Sequence, residues 1–302
     1  MKILLLGANG QVGFELVRSL APLGELVCAT RDGTLRGGAP CVSADLDNAN
    51  SLAAVLEFAN ADVIVNAAAY TAVDRAEDEP QHAQRINGEA LLEIGAWAAA
   101  HRARVVHYST DYVFDGRGTR PYSETDATAP LGVYGASKLA GEKALRASGC
   151  DHLILRTAWV YAARGQNFLR TMLRLARERD ALRVVNDQRG APTSARLIAD
   201  ATALALALAR SSSDKAQGTY HLVAGGDCTW FDFAGAIFAR AQAAGLIERT
   251  PRLLPISTVE YPTPARRPAY SVLNTRKFHD AFGLHLPDWR QGLDAVIGEL
   301  AG

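Results

Sequence analysis

Short apolar runs alternate with helical periodicities along most of this 302-residue chain. The apolar runs lie at 2–6, 25–30, 62–66, 105–108 and 151–156. Their length, and the glycine or polar residues that end them, are typical of parallel strands buried on both faces. Between them apolar residues recur three and four positions apart, as in Val12, Leu16 and Leu20, which indicates amphipathic helices. The alternation predicts an α/β fold with a Rossmann-like, doubly wound parallel sheet.

A glycine-rich turn, GANGQVG at 7–13, follows the first predicted strand and opens the first predicted helix. Gly7 and Gly10 permit a tight turn and a close approach of the backbone to a pyrophosphate, and Gly13 lets the helix pack against the strand. The helix N-terminus supplies N–H groups and a favourable dipole. An ordinary glycine-rich loop is the alternative, but the strand before and the helix after favour dinucleotide binding.

The end of the second predicted strand carries residues that can distinguish the two nicotinamide cofactors. It reads Thr30-Arg31-Asp32, about 20 positions beyond the glycine turn. An acid at this point accepts a hydrogen bond from the ribose 2′-hydroxyl of NAD, whereas an arginine accommodates the 2′-phosphate of NADP. Arg31 precedes Asp32, so NADPH is slightly favoured over NADH, and a solvated loop arginine remains the alternative.

The stretch from 105 to 138 brings together the side chains of a carbonyl-reduction site. Its strand should deliver Thr110 and Asp111 to the carboxyl edge of the sheet, where ligands bind in open α/β folds. Tyr134 and Lys138 open a helical segment, and their spacing of four places them on one face. We expect Thr110 to hold a carbonyl and the Lys138 ammonium to lower the pKa of Tyr134 toward neutrality, as a general acid requires.

Three other polar or small positions have two interpretations each. Asp45 ends a short predicted strand, where it can bond an adenine amino group or cap the helix predicted at 51–59. The small residues 67–69 can lie against a flat ligand or pack against a helix. Asn87 falls within a helical pattern at 80–103, and we expect it at the surface rather than in a proton-relay or backbone-bridging role.

From residue 156 onward the pattern changes. Trp159 directly follows a predicted strand, and Asn167 stands where another helix opens. An Ala/Leu-rich helix ends at about Arg210 and precedes a polar loop at 211–217, and Thr229 should cap a helix at 230–244.

The proline-rich segment 261–268 cannot form regular structure. It contains Arg267, a candidate for a substrate phosphate or simply a solvated loop arginine. We predict that residues 1–156 form an NAD(P)-binding Rossmann domain with returning segments near 190–225. Residues 157–302 should predominantly form a smaller substrate-binding lobe, interleaved with that domain.

Composition limits the classes of partner. Lys+Arg and Asp+Glu balance at 32 each, so we expect no nucleic-acid surface. The four cysteines are scattered without a CxxC pair, which indicates small core residues in a reducing compartment. No run approaches the roughly 20 apolar residues of a membrane span. We therefore expect a cytoplasmic protein with no membrane partner.

With these segments assembled, the chain resembles the extended short-chain dehydrogenase/reductases and, within them, the dTDP-4-dehydrorhamnose reductase family. The resemblance runs nearly end to end through LLGANGQVG, DVIVNAAAYTAVD, VVHYSTDYVFDG, ETDATAPLGVYGASKLAGE, RTAWVY, NFLRTMLRLA, NDQRGAPT, YHLVAGG and YPTPARRP. The segments STDYVFDG, RTAWVY and NDQRGAPT are far more specific than the glycine turn or the YxxxK pair, which many carbonyl reductases and epimerases share.

The resemblance implies NADPH- or NADH-dependent reduction of the C4 ketone of dTDP-4-dehydro-β-L-rhamnose, the last step of dTDP-rhamnose biosynthesis. It implies that Tyr134 protonates the alkoxide, that Lys138 tunes Tyr134 and holds the nicotinamide ribose, and that Thr110 bonds the ketone or the tyrosine. The implied cofactor-binding residues are Gly7, Asn9, Gly10, Gln11, Val12, Gly13, Thr30, Arg31, Asp45, Leu46, Ala67, Ala69, Tyr70, Thr71, Tyr134 and Lys138. The implied substrate-binding residues are Thr110, Asp111, Trp159, Asn167 and Arg267.

One position departs from the family pattern. Some members dimerise around a Mg²⁺ ion held by acidic residues. Glu15 is present here, but Arg196 stands in the helix after NDQRGAPT where a glutamate is expected. A bridging Mg²⁺ is therefore doubtful, and a homodimer or a monomer stays open.

Other functions share some of these motifs. A nucleotide-sugar dehydratase needs further acid/base residues beside the threonine, commonly Asp-Glu, whereas 109–112 offers only Asp111, and an epimerase would need a second base. A noncatalytic NADP-binding regulatory subunit is a further alternative, with the methionine adenosyltransferase β subunit as a precedent. The intact Thr110, Tyr134 and Lys138 argue against that function. The sugar can also be another nucleotide-linked 6-deoxyhexose.

Overall fold

The computed structural model describes residues 1–209 and 217–302. The strands are β1 (Lys2–Leu6), β2 (Glu25–Thr30), β3 (Val42–Ser43), β4 (Val63–Asn66), β5 (Arg104–Thr110), β6 (Asp151–Thr157), β7 (Val160–Tyr161), β8 (Ala181–Val185), β9 (Arg189–Gly190), β10 (Thr193–Ser194), β11 (Gly218–His221), β12 (Cys228–Thr229) and β13 (Arg252–Ile256). The helices are α1 (Gln11–Leu20), α2 (Ala49–Ala59), α3 (Val73–Asp78), α4 (Pro80–Gln84), α5 (Ala90–His101), α6 (Val133–Ser148), α7 (Phe168–Glu178), α8 (Ala195–Ala209), α9 (Trp230–Ala243), α10 (Arg276–Phe282) and α11 (Trp289–Ala301). The polar loop predicted at 211–217 lies, except for residue 217, outside the described residues.

Seven strands form one parallel sheet in the order β11-β6-β5-β4-β1-β2-β3. The chain runs outward from β1 to β3 on one side and from β4 to β11 on the other. The strand order therefore reverses between β1 and β4, which is the crevice where doubly wound folds bind ligands. The predicted Rossmann-like, doubly wound parallel sheet is confirmed.

Both faces of the sheet are covered, which explains why the central strands β1 and β4 are almost entirely apolar. Leu4 and Leu6 of β1 face one hydrophobic cluster, which α2, α5 and α6 complete. Ile3 and Leu5 face the other, which α1, α8 and α10 complete. Successive side chains of a strand point to opposite faces, so a strand between two helical layers needs apolar residues at every position.

A separate hydrophobic cluster fills the second half of the chain. It is built from α7, α9 and α11 and contains Phe233, Phe238 and Trp289, all buried. Strands β8 and β13 pair in parallel beside it, with Ala181 opposite Arg252. By contrast β11 returns to the large sheet beside β6, and α8 packs against α1. These two segments join the lobe to the sheet.

Local signals correctly predicted several boundaries. Thr229 caps α9 in a capping box, since its hydroxyl accepts from the Asp232 N–H and its own N–H donates to the Asp232 carboxylate. The segment 261–268 contains no helix or strand, as its prolines predict.

The pattern at 80–103 is not one helix, because a π-helical turn at Arg85–Glu89 separates α4 from α5. Within 1–209 and 217–302, no helix has the length and hydropathy needed to cross a membrane.

Candidate active site

A cleft of about 900 Å³ opens at the carboxyl ends of the central strands. It is bounded by the glycine turn after β1, the ends of β2, β4, β5 and β6, and the start of α6. The predicted site residues that line it are Gly7, Asn9, Gly10, Gln11, Val12, Thr30, Arg31, Asp45, Leu46, Ala67, Ala69, Thr71, Thr110, Asp111, Tyr134, Lys138 and Trp159. Gly13, Tyr70, Asn167 and Arg267 are not among its lining residues.

The glycine turn brings backbone close to backbone. Gly7 has a φ of +81°, and a Cβ there would lie 2.6 Å from the Ala68 nitrogen. A Cβ on Gly13 would lie 2.0 Å from the Gly7 carbonyl oxygen, so Gly13 serves the packing of α1 on β1. Gly10 is the N-cap of α1, and no side chain caps that helix. The first N–H groups of α1 therefore face the cleft without a side-chain acceptor, as an anionic group requires.

Two arginines lie at the end of this cleft beyond β2. Arg31 lies 3.7 Å from Asp45, measured from Nε to Oδ1. Arg36, which the sequence analysis missed, also lines the cleft, and its Nε donates to the Asn9 carbonyl oxygen at 3.2 Å. The Asp32 carboxylate accepts hydrogen bonds from the Thr30 hydroxyl and from the Thr34 N–H. These bonds hold the pKa of the Asp32 carboxyl below its usual range.

Asp45 does not cap the following helix. The N-cap of α2 is Asn48, whose Oδ1 accepts from the N–H groups of Asn50 and Ser51. Because α2 starts at Ala49 rather than at Ser51, the cap moves to the residue just before it, and the capping alternative for Asp45 is wrong. Asp45 lines the cleft instead, and its own N–H donates to the Ser51 hydroxyl at 3.0 Å.

Asn87 is buried, which corrects the expected surface position. The π-helical turn directs its side chain inward, where Oδ1 accepts from the Tyr70 N–H at 3.0 Å. Its Nδ2 donates to the Tyr70 carbonyl and to the Ser137 hydroxyl, both at 3.0 Å. Asn87 therefore bridges the chain after β4 to α6. The Tyr70 phenol donates to Glu79 at 2.7 Å, so only its backbone belongs to this connection.

Thr110, Tyr134 and Lys138 line the same cleft. Thr110 ends β5, and its hydroxyl donates to Asp111 Oδ1 at 3.0 Å. Tyr134 and Lys138 occupy successive turns at the start of α6, as their spacing predicted. The ring of Tyr112, a further lining residue, lies edge-on to the ring of Tyr134 at 5.6 Å.

The charge states at this centre differ from those the sequence predicted. Burial lowers the pKa of Lys138 to about 7, although the charge of Glu142 opposes the shift. Burial and the nearby Asp111 raise the pKa of Tyr134 above its ordinary value. The expectation that the ammonium lowers the tyrosine pKa is therefore wrong for the protein alone, because loss of hydration raises the pKa of Tyr134.

The cleft is aromatic where it is lined by Trp159, just after β6. Trp159 has a φ of +48° and stacks on Trp230 with ring centroids 3.5 Å apart. Gly190 makes room for it, since a Cβ there would lie 2.5 Å from the indole. Asp111 is buried close by, and burial raises its pKa to about 6 against the opposing effect of its hydrogen bonds.

Asn167 and Arg267 have structural partners. Asn167 caps α7, and its Nδ2 donates to Gln11 Oε1 at 2.8 Å, so it contacts the cleft through a lining residue. Arg267 forms an ion pair with Asp74 at 2.7 Å. This pair ties the proline-rich segment to α3 rather than leaving the guanidinium in solvent.

Glu15, the acidic residue expected near a bridging metal, forms an ion pair with an arginine. Glu15 lies 3.3 Å from Arg164, and burial raises the pKa of its carboxyl. Arg196 lies 3.9 Å from Asp200. Across 1–209 and 217–302, no group of three or more His, Cys, Asp or Glu side chains is arranged to hold a metal ion.

Residues 1–301 match the model of the family described as the RmlD substrate binding domain. The chain belongs to this family. It is 51% identical over 307 residues to the dTDP-4-dehydrorhamnose reductase of Escherichia coli (strain K12), covering 99% of this chain and 98% of that protein.

Solved structures of family members have the same fold over the whole chain. A dTDP-4-dehydrorhamnose reductase from Clostridium acetobutylicum superposes with a TM-score of 0.88 at 34% identity, covering 100% of both chains. A dTDP-4-dehydrorhamnose reductase from Bacillus anthracis, in complex with NADP, superposes with a TM-score of 0.85 at 33% identity, covering 99% of this chain and 100% of that one.

Proposed function

We propose that this protein is an NAD(P)H-dependent oxidoreductase that reduces the C4 ketone of dTDP-4-dehydro-β-L-rhamnose to dTDP-β-L-rhamnose. The observation that carries the proposal is that one cleft is lined both by the glycine turn before α1, a helix without a side-chain cap, and by Thr110, Tyr134 and Lys138. The family member from Escherichia coli that is named for this activity is 51% identical to the chain over 99% of its length. The reaction would complete the synthesis of dTDP-rhamnose.

The chain's own residues supply the proton and the alignment. Reduced nicotinamide, when bound, supplies the hydride. The Tyr134 hydroxyl gives its proton to the ketone oxygen as negative charge develops there, and its raised pKa keeps that proton in place until then. Thr110 positions the oxygen through its hydroxyl, and Lys138 holds the ribose of the cofactor. Asp111 and Trp159 would contact the sugar.

NADPH is the cofactor we favour. Arg31, Asp32 and Arg36 all line the cleft beyond β2, where the ribose 2′-phosphate would lie, and Asp32 Oδ1 already accepts hydrogen bonds from the Thr30 hydroxyl and the Thr34 N–H. Two guanidinium groups match a phosphate, whereas a carboxylate already bonded elsewhere is a poor partner for a 2′-hydroxyl. NADH would also bind, because the rest of the cleft is common to both cofactors.

The two halves of the chain would divide the work. Residues 1–156, with the returning segments near 190–225, would bind the cofactor, since they supply the large sheet and the helix α8 on it. Residues 157–302 would predominantly bind the sugar. Trp159 and Trp230, which stack on each other, both come from that half.

The decisive experiment incubates the purified protein with NADPH or NADH and dTDP-4-dehydro-β-L-rhamnose generated in situ. We expect loss of reduced-nicotinamide absorbance and formation of dTDP-rhamnose, identified by chromatography. Tyr134→Phe should still bind NADPH but reduce the ketone about 10²- to 10⁴-fold more slowly, as loss of a general acid does. Cofactor binding without turnover of this sugar would refute the proposed substrate, and cofactor binding without turnover of any 6-deoxy-4-ketohexose would point to a binding subunit.

A further inference from the structure

A chain of buried side chains lies behind Lys138. His107 of β5 places its Nε2 3.2 Å from the Lys138 Nζ atom. The other ring nitrogen of His107, Nδ1, lies 3.3 Å from Nδ2 of Asn66, which ends β4. All three residues are no more than 2% exposed. Solvent therefore cannot satisfy these atoms, and the direction of each hydrogen bond has to be consistent along the chain.

The backbone fixes the orientation of Asn66. The N–H of Ala68 points at Asn66 Oδ1 at 3.1 Å. A backbone N–H only donates, so the atom it meets must be the amide oxygen, not the nitrogen. The NH₂ group of Asn66 consequently points at His107 Nδ1. Rotating the amide would place two donors against each other at Ala68.

The Asn66 amide in turn fixes the histidine tautomer. Nδ1 of His107 receives a hydrogen from Asn66 and so must present its lone pair. Burial keeps the pKa of His107 well below its ordinary value, so the ring is neutral and carries a single proton. That proton lies on Nε2. Nε2–H faces the Lys138 nitrogen, where it can donate only to an unprotonated amine.

We propose that Asn66 and His107 are positioning residues that hold Lys138 as a neutral amine in the cofactor-free protein, by fixing the Nε2–H tautomer of His107. The inference deepens the proposed function, on which it rests for the role of Lys138 at the cofactor. Conversion of Lys138 to the ammonium then requires His107 to carry its proton on Nδ1 instead. That proton would face the NH₂ group of Asn66, unless the amide rotates and gives up Ala68.

The other groups around Lys138 agree with this arrangement. Glu142, one turn further along α6, is the charge that favours the ammonium. Its carboxylate is already bonded by Arg156, Ser109 and Arg146. Tyr134, one turn before, is a neutral phenol whose pKa is raised. Loss of hydration lowers the pKa of Lys138 to about 7.

Nuclear magnetic resonance on the free protein tests the tautomer directly. The chain has only seven histidines and few lysines, so ¹⁵N-histidine and ¹³C-lysine labelling gives resolvable signals, assigned with His107→Gln and Lys138→Met. We expect a one-bond N–H coupling on Nε2 of His107 and none on Nδ1. The Lys138 signal should titrate about three pH units below an ordinary lysine at about 10.4.

Asn66→Asp separates the tautomer from the rest of the site. An aspartate keeps an acceptor for the Ala68 N–H but replaces the NH₂ donor by an acceptor for Nδ1–H. We expect the His107 proton to move to Nδ1 and the Lys138 titration midpoint to rise by about one pH unit or more. The added charge alone would also raise it, so the same substitution is made in the His107→Phe background, where the rise should be less than half as large.

Either of two results would overturn the inference: a wild-type His107 protonated on Nδ1, or an equal rise in both backgrounds. The wild-type spectra alone decide the first, even if a variant does not fold. Neither measurement uses the sugar or turnover, so a failed reductase assay with the expected spectra would reject the proposed substrate and leave the Asn66–His107–Lys138 chain intact.

Discussion

Arg156 and Glu142 form a buried two-point ion pair, with Arg156 Nε 2.8 Å from Oε1 and Nη2 2.7 Å from Oε2 of Glu142. Both side chains are at most 3% exposed. The Ser109 hydroxyl also donates to Glu142, at 2.6 Å. Since Arg156 lies on β6, Ser109 on β5 and Glu142 on α6, this pair fixes the helix of Tyr134 and Lys138 against the strand that delivers Thr110.

Removing one partner of this ion pair should lower the free energy of unfolding. Arg156→Met leaves the Glu142 carboxylate buried without its main counter-charge, and we expect a loss of about 3–5 kcal/mol of unfolding free energy in urea denaturation. The double variant Arg156→Met/Glu142→Leu should lose much less than the sum of the single changes. Strict additivity in this double-mutant cycle would contradict the coupling.

The same pair predicts how stability depends on pH. Burial raises the pKa of Glu142, but the hydrogen bonds and the charge of Arg156 lower it by more than burial raises it. The pKa of Glu142 in the folded state therefore lies below its ordinary value. Its contribution is therefore complete above the unfolded pKa of about 4.3 and is lost as pH falls through the lower folded value. Glu142→Gln should flatten this acid limb in thermal melts between about pH 5 and pH 2.

Asp111 should have the opposite effect on the pH dependence of stability. Its folded pKa of about 6 lies above the unfolded value, so its ionisation costs stability that grows as pH rises from about 4 to about 6. Asp111→Asn should therefore stabilise the protein by up to about 3 kcal/mol at pH 8 and by less at pH 5. Urea midpoints at the two pH values check this. An equal gain at both would show that the carboxyl pKa is not raised.

The glycine turn offers a matched pair of substitutions. Gly13→Ala places a methyl group 2.0 Å from the Gly7 carbonyl oxygen, so α1 must move, and we expect a loss of about 2 kcal/mol or more together with weaker NADPH binding. In α11, a Cβ on Gly298 meets nothing within 4 Å. Gly298→Ala should instead gain about 0.5 kcal/mol and leave binding unchanged. Similar effects of both changes would show that close packing at Gly13 is unimportant.

The two arginines beyond β2 predict the cofactor preference. Arg36→Ala should raise the Kd of NADPH about 10-fold, the value of one charge-assisted hydrogen bond, and leave the Kd of NADH nearly unchanged. Arg31→Ala should act in the same direction. Fluorescence titration of both cofactors with each variant is the measurement. An equal loss for NADH would mean that these side chains support the cleft rather than recognise a 2′-phosphate.

Patterns local in sequence predicted most of the site. The glycine turn lies between β1 and α1, Thr110 ends β5, and Tyr134 and Lys138 share the first turns of α6, because each depends on spacing within one element. Arg36 escaped prediction since it lies in an irregular loop, where no periodicity marks the residues that turn toward a ligand. Asn87 was misplaced because the π-helical turn rotates its side chain inward, and that turn depends on packing against α6.

The sequence by itself determined the order of strands and helices, the doubly wound sheet and the places of Thr110, Tyr134 and Lys138 at the end of β5 and the start of α6, since apolar periodicity and turn residues act over a few positions. Only the tertiary structure decided the charge states. The pKa values of Lys138, Tyr134 and Asp111 depend on how completely other segments exclude water from them, and the tautomer that we propose for His107 depends on the Asn66 amide at the end of β4 and on the Ala68 N–H just after it. Hydration and hydrogen-bond direction are properties of the assembled site, and no single stretch of sequence contains them.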